Sequence, residues 1–386
     1  MPKKPFNHNL ENIPPSGIRA FFDMVLERQD ILSLGVGEPD FETPKHISQA
    51  GIQSILDGKT CYTSNKGLKE LRCALADYIS KKNGIHYDAE EEILITNGAS
   101  EGLDLVFRSI SNPGDEVIVP EPSYVCYSPL LSLCGINVKR IDTTQSNFIP
   151  DPHAIEAAIT SKTKAVVLCS PNNPTGVSIP SETLKALASL AKKHDLWIIS
   201  DEIYAELNYD KNFESISRYA GKEHCVILNG FSKAFAMTGW RLGFIAGPED
   251  ILSRCLKIHQ YSALCANTAS QFAALEALKE PFNTVKKMKA AYKERRDYII
   301  KCMQELGFSM PYPDGAFYCF VNVEKSGLNG EAFASALLEA ENVAVVPGIG
   351  FGLGGENYIR ICYAYPLESI EKAMLKIKNF VMKLQK

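Results

Sequence analysis

The sequence predicts an α/β protein: a large domain with a mostly parallel sheet sandwiched by helices, plus a smaller α+β domain. Three observations carry this. Short apolar runs alternate with helical patterns from about residue 90 to 250. The character of the chain changes after Pro248. A length of 386 residues exceeds what one ordinary core organises.

Taken in order, EEILIT (91–96) precedes a helix from Ser100 through Ile110, and DEVIVP (115–120) precedes a second helix. KAVVLC (164–169) and LWIIS (196–200) follow the same rule, and HCVILNG (224–230) and GFIAG (243–247) close the series. Such alternation indicates βαβ units, whose ligand crevice forms at the carboxyl ends of the strands. Beyond Pro248, two long helical stretches punctuated by Pro281 are expected to run to about Leu306. GAFYCFV, the helix EAFASALLEA, the strands VAVVP and YIRICYA, and a final helix follow. In that last helix Ile370, Met374, Ile377, Val381 and Leu384 recur at helical spacing, as a core-facing stripe does. A hinge near residue 290 gives an N-terminal arm (1–45) joining the small domain, a large domain (46–290) and a small C-terminal domain (291–386).

Composition narrows the function. Hydrophobic residues make up 45% and charged residues 22%, with a net charge of −4, which offers nucleic acid no basic footprint. No apolar run approaches the roughly 20 residues that span a bilayer. MPKKPFNHNL has no apolar stretch after its lysines, so a cytoplasmic location is expected. The eleven cysteines form no CxxC pair and read as buried, reduced thiols. The seven histidines show no metal-ligand spacing, and no metal is assigned.

Two motifs mislead. Gly350, Gly352 and Gly355 spell GxGxxG, but a strand pattern follows where a dinucleotide site needs a helix, so a turn is expected. GFSKA around Ser232 lacks the closing glycine of a nucleophile elbow.

The chemistry lies in the loops after strands: SPNNPTG (170–176), SDEIY (200–204) and NGFSKAFAMTGWRLG (229–243). A lysine amine can form a Schiff base with a carbonyl cofactor, and Lys233 is that lysine. Pyridoxal 5'-phosphate (PLP) also needs a carboxylate against its pyridine nitrogen, for which Asp201 is first out of its strand. Tyr204 and the amide of Asn173 suit the ring's phenolate oxygen. Arg241 and the helix start at Gly98, Ala99 and Ser100 suit a phosphate. Tyr124 could stack on the ring. Taken singly, Asp201 is more simply an N-cap, Tyr204 a core aromatic, Asn173 a turn residue, and Arg241 and Lys233 solvated charges. The combination, in order on successive strand ends, reverses those odds.

These segments, together with LGVGEPDF (34–41), CYTSNKGLKELR (61–72) and YIRICYA, resemble the class I aminotransferases of PLP fold type I over nearly the whole chain. The resemblance implies that Lys233 carries the cofactor and shuttles a proton, with Asp201 on the pyridine nitrogen and Tyr204 and Asn173 on the ring oxygen. Arg241 and Gly98–Ser100 take the phosphate, with Tyr62 reaching the phosphate of a partner subunit in a homodimer. Arg360 clamps the substrate α-carboxylate, assisted by Asn173 and the backbone near Gly37. Two departures stand out. Many members carry a phosphate-binding serine where this chain has Gly230, a loss for which Ser232 could compensate, and some carry tryptophan at Tyr124. The implied reaction is ping-pong transamination from an acidic amino acid to 2-oxoglutarate, similar to the bacterial aspartate-type and diaminopimelate branches. Arg19 and Lys66 are candidates for a distal carboxylate. A same-fold carbon–sulfur lyase or synthase and a non-catalytic PLP-binding regulator are the alternatives.

Overall fold

The computed structural model describes residues 7–11, 13, 31–279 and 282–384. Its strands are β1 (Leu32–Ser33), β2 (Ile93–Thr96), β3 (Glu116–Glu121), β4 (Asn137–Asp142), β5 (Thr163–Cys169), β6 (Trp197–Asp201), β7 (Cys225–Gly230), β8 (Gly243–Ala246), β9 (Tyr318–Asn322), β10 (Val343–Ala344), β11 (Val346–Pro347) and β12 (Tyr358–Cys362). Seven of them form the large sheet in the order β2-β8-β7-β6-β5-β3-β4. All neighbours are parallel except β8, which runs antiparallel to β2 and β7.

Helices cover both faces of this sheet, and side-chain alternation along the strands shows it. Val166, Leu168, Ile198 and Ile227 enter one hydrophobic cluster, while Ala165, Val167, Ile199 and Val226 enter the other. A strand buried on both faces needs apolar residues at every position, which is why these runs read as continuous. The helix Gly98–Ile110 packs Leu103, Val106 and Phe107 into the second cluster.

A second sheet, β11-β12-β9, is antiparallel. Beside it β1 pairs in parallel with β10, so the described segment after residue 30 is built into the C-terminal part. The 23-residue helix Asn283–Glu305 runs unbroken through residue 290. In the last helix, Ile370, Met374, Ile377 and Val381 are buried, whereas Leu384 at its end is exposed.

Several local expectations change. The strand β4 escapes a periodicity reading because NVKRID is polar and lies at the sheet edge, where its residues stay partly exposed. The two helical stretches after Pro248 are three helices, Glu249–Ser262, Thr268–Lys279 and Asn283–Glu305. The extra break contains Leu264 at φ 64°, a left-handed residue that ends helical hydrogen bonding. VAVVP divides into β10 and β11, which pair with β1 and β12 respectively. Among the cysteines, Cys225, Cys255, Cys319 and Cys362 are buried, but Cys61 and Cys73 are exposed and five others are partly exposed.

One buried cation joins the two regions. Arg296, 1% exposed, donates to Asp210 (2.9 Å), Asp297 (2.8 Å) and the Pro313 carbonyl (2.9 Å). Its guanidinium lies 4.9 Å from the Tyr209 and Tyr312 ring centres. Lys293 and Arg296 together hold the Asp210 carboxyl down to about 2. Replacing Arg296 by alanine strands the Pro313 carbonyl and opens a gap between rings. Arg296→Ala should therefore lower stability by about 3 kcal/mol, read as a lower urea midpoint, with Arg296→Met losing less because it refills the space.

Candidate functional site

A cavity of about 300 Å³ opens where the carboxyl ends of β5, β6 and β7 face β12. Gly37, Ala99, Ser100, Tyr124, Asn173, Asp201, Tyr204, Ser232, Lys233, Arg241 and Arg360 all line it. Their separation along the chain is large, and it is the parallel register that gathers them. Cys169, the end of β5, lies opposite Asp201, and Asp201 lies opposite Leu228 near the end of β7.

Asp201 is the last residue of β6 and is 4% exposed. It accepts hydrogen bonds from the Tyr127 hydroxyl (2.6 Å) and the Ile203 amide (3.2 Å). Burial pushes its carboxyl upward, and the Tyr127 hydrogen bond, the Ile203 amide and the Lys233 charge oppose that shift. Such a carboxylate is held ready for a cationic partner in the cavity.

Lys233 follows the end of β7 by three residues. Its Nζ donates to the Gly37 carbonyl at 2.7 Å and lies 5.8 Å from the centre of the Phe317 ring. Burial lowers its pKa from the usual 10.5 to about 8, and the charges of Arg360 and Arg241 push the same way. The amine is thereby prepared as a nucleophile near neutral pH.

Arg360, in the middle of β12 and 5% exposed, donates to Asn173 Oδ1 (2.8 Å) and to the Gly35 carbonyl (2.7 Å). Its Nε is buried with no acceptor among the described residues. A buried guanidinium with an unspent N–H is matched by an incoming carboxylate. Asn173, having committed its oxygen to Arg360, keeps its NH₂ as the donor.

At the other end, the first N–H groups of the helix Gly98–Ile110, like those of any helix, have no intrahelical acceptor, and its N-cap residue Asn97 supplies no side-chain cap. Gly98 has φ 77°, and a Cβ there would lie 2.9 Å from the Arg241 guanidinium. Arg241 itself adopts φ 52° and donates to the Thr238 carbonyl at 3.0 Å. Free amide donors and a cation side by side form an anion site. At Gly230, a Cβ would approach the Leu242 carbonyl at 2.9 Å, so the backbone there is tight for any side chain. Ser232 lines the cavity.

An aromatic cofactor carrying an aldehyde, a ring nitrogen and a phosphate fits this donor set: Lys233 for the aldehyde, Asp201 for the nitrogen, Arg241 with the helix start for the phosphate. Tyr124 lines the same cavity and meets Tyr127 edge-on at 5.6 Å.

Not every expected residue gathers here. Tyr62, expected at a partner subunit's phosphate and not in this cavity, is 79% exposed and does not line it. Lys66 is held by Glu91 (2.7 Å) and the Glu90 carbonyl (2.6 Å). Arg19 lies outside the described residues. Conversely, Tyr127, Tyr318, Thr238 and Phe351 belong to the site's walls or supports and escaped the sequence reading. Thr238, Tyr318 and Phe351 do sit inside segments singled out above: the 229–243 loop, GAFYCFV and the GxGxxG run. The start of that run ends a short 3₁₀ turn, Gly348–Phe351, before β12.

The aminotransferase class I and II family pattern matches residues 29–377. The chain is 47% identical to the putative aminotransferase YugH of Bacillus subtilis, covering 97% of each. It is 42% identical to the probable N-acetyl-LL-diaminopimelate aminotransferase of the same organism, covering 98% of this chain and 96% of that one. Among solved structures, the aspartate aminotransferase from Thermus thermophilus with maleate superposes at a TM-score of 0.93, with 37% identity over 98% of this chain and 100% of the other.

The lowered Lys233 pKa makes a kinetic prediction. A lysine attacks an aldehyde only as the neutral amine, whose fraction grows as pH rises through the pKa. The rate at which cofactor-free protein captures PLP should climb through about pH 8 and flatten above it. A rate still rising in proportion to hydroxide at about pH 9.5 would mean an ordinary lysine.

Proposed function

Because the chain belongs to the aminotransferase class I and II family and is a PLP-dependent aminotransferase, we propose that it moves the amino group of an acidic L-amino acid, aspartate first, to a 2-oxo acid such as 2-oxoglutarate. The observation that carries this reading is the pairing, in one cavity, of the depressed Lys233 amine with the unspent Nε of Arg360.

The bound cofactor supplies an electron-poor ring that makes the Cα proton of an attached amino acid acidic. The remaining work falls to this chain. Arg360 takes the α-carboxylate through Nε and fixes which Cα bond faces Lys233. Lys233 Nζ removes the Cα proton and returns it, as general base and then acid. Asp201 keeps the ring nitrogen protonated, and its own ionisation is supported by Tyr127. Tyr204 and the Asn173 NH₂ donate to the ring oxygen, and Tyr124 packs against the ring. Arg241, Gly98, Ala99 and Ser100 hold the phosphate, with Ser232 adding a hydroxyl.

The acidic donor is supported by the similar Thermus thermophilus enzyme, whose structure was solved with a dicarboxylate. The cavity's described lining holds the cations Lys233, Arg241 and Arg360, each with a task above. A cation for a distal carboxylate would then come from outside that lining, and a second copy of the chain is one source. Tyr62, Tyr261 (88% exposed) and Leu264 (45% exposed) present apolar surface consistent with a homodimer in which Tyr62 reaches the partner's phosphate site.

The deciding measurement is the absorbance of PLP-loaded protein on adding L-aspartate. Loss of the visible band and its return with 2-oxoglutarate is expected, while ammonia and pyruvate released without an acceptor would indicate a lyase instead. Lys233→Ala should slow the interconversion by about 10²–10⁴-fold. Arg360→Lys replaces a fork with a point charge and should raise KM for the donor roughly tenfold or more, the worth of a charge-assisted hydrogen bond.

A further inference from the structure

Tyr318 opens β9 and is 1% exposed. Its hydroxyl lies 2.8 Å from that of Tyr204, and its ring centre is 4.4 Å from the Arg360 guanidinium carbon. The same hydroxyl occupies the space where a Cβ at Gly37 would sit, and the Gly37 carbonyl accepts the Lys233 amine. One buried phenol thus touches the ring-oxygen donor, the carboxylate clamp and the loop after β1 whose Gly37 carbonyl holds the lysine.

The direction of the phenol pair follows from proton counting. Burial raises both phenols, so each stays neutral with a single O–H. If Tyr204 spends its proton on the cofactor's ring oxygen, the bond between the two hydroxyls requires Tyr318 to be the donor. A hydroxyl that accepts one hydrogen bond becomes a stronger donor of the next. Besides Tyr204, the titratable groups acting on Tyr318 are Arg360, Cys362 and Cys169. No carboxylate is among these, so nothing there competes for the Tyr318 proton.

We propose that Tyr318 is a positioning residue of the transamination site, whose hydroxyl donates to Tyr204 and turns the Tyr204 proton toward the cofactor's ring oxygen while its ring face seats Arg360. The proposal deepens the function proposed above and rests on the Tyr204 role in it. The two duties separate chemically: the hydroxyl acts on the cofactor and the ring acts on the substrate carboxylate.

The test is a pH titration of the visible absorbance of the PLP-loaded protein, together with kcat and KM for the donor. Tyr318→Phe removes the hydroxyl and keeps the ring. Its absorbance midpoint should move up by about one pH unit and kcat should fall about tenfold, with KM changed less than about twofold. Tyr318→Leu should in addition raise KM. Tyr204→Phe should shift the midpoint at least as far, and adding Tyr318→Phe to it should give no further shift, which a merely structural role would not produce. If Tyr204→Phe shifts the midpoint and Tyr318→Phe does not, the relay is overturned and the Tyr204 assignment stands. If neither moves it, the Tyr204 assignment itself fails and takes the relay with it. Independent, additive shifts would also overturn the relay.

Discussion

A buried guanidinium is expensive unless its donors are used, and this structure is arranged around one. Arg360 sits at 5% exposure on the small sheet, yet its partners belong elsewhere: Asn173 in the loop after β5 and Gly35 in the segment that follows β1. Breaking either contact would leave a buried N–H of a charged group without its acceptor. The cation therefore fixes how the two sheets approach each other, and the cavity lies along that junction. Its Nε has no acceptor among the described residues and remains an unspent donor on a side chain that lines the cavity.

On the opposite wall the logic is the same with the sign reversed. Asp201 is a carboxylate at the end of a central strand, where solvent does not reach. Tyr127 and the Ile203 amide stabilise its charge, and Lys233 adds a favourable field. Lys233 in turn loses part of its own proton affinity because burial and two arginines disfavour the ammonium. Charges of both signs in one small cavity thus set each other's protonation, which is the condition that acid–base chemistry at neutral pH requires.

Much of this was legible in the sequence because parallel strands buried on both faces read as unbroken apolar runs, and their following loops carry polar residues at fixed offsets. Asn173, Asp201 and Lys233 were found that way, and the structure brings them to one cavity. Elements whose burial does not follow a local period were missed. The edge strand β4 is polar, and the helix break at Leu264 has no glycine or proline to announce it. Tyr127 and Tyr318 are buried aromatics that no local pattern singled out; only the partner of each hydroxyl makes them part of the site.

The sequence by itself determined the fold class and the order of the strands' polar loops, and it offered Lys233, Asp201, Asn173 and Arg241 as candidates, because residue type and strand periodicity are properties of short segments. Arg360 came only from the family resemblance. The tertiary structure alone decided that Arg360 from β12 meets Asn173 from the loop after β5, that Arg360 Nε has no acceptor among the described residues, and that Tyr204 and Tyr318, 114 positions apart, share a hydrogen bond. Those facts depend on distances between segments remote in the chain and on how much water the packing excludes, and no local pattern encodes either.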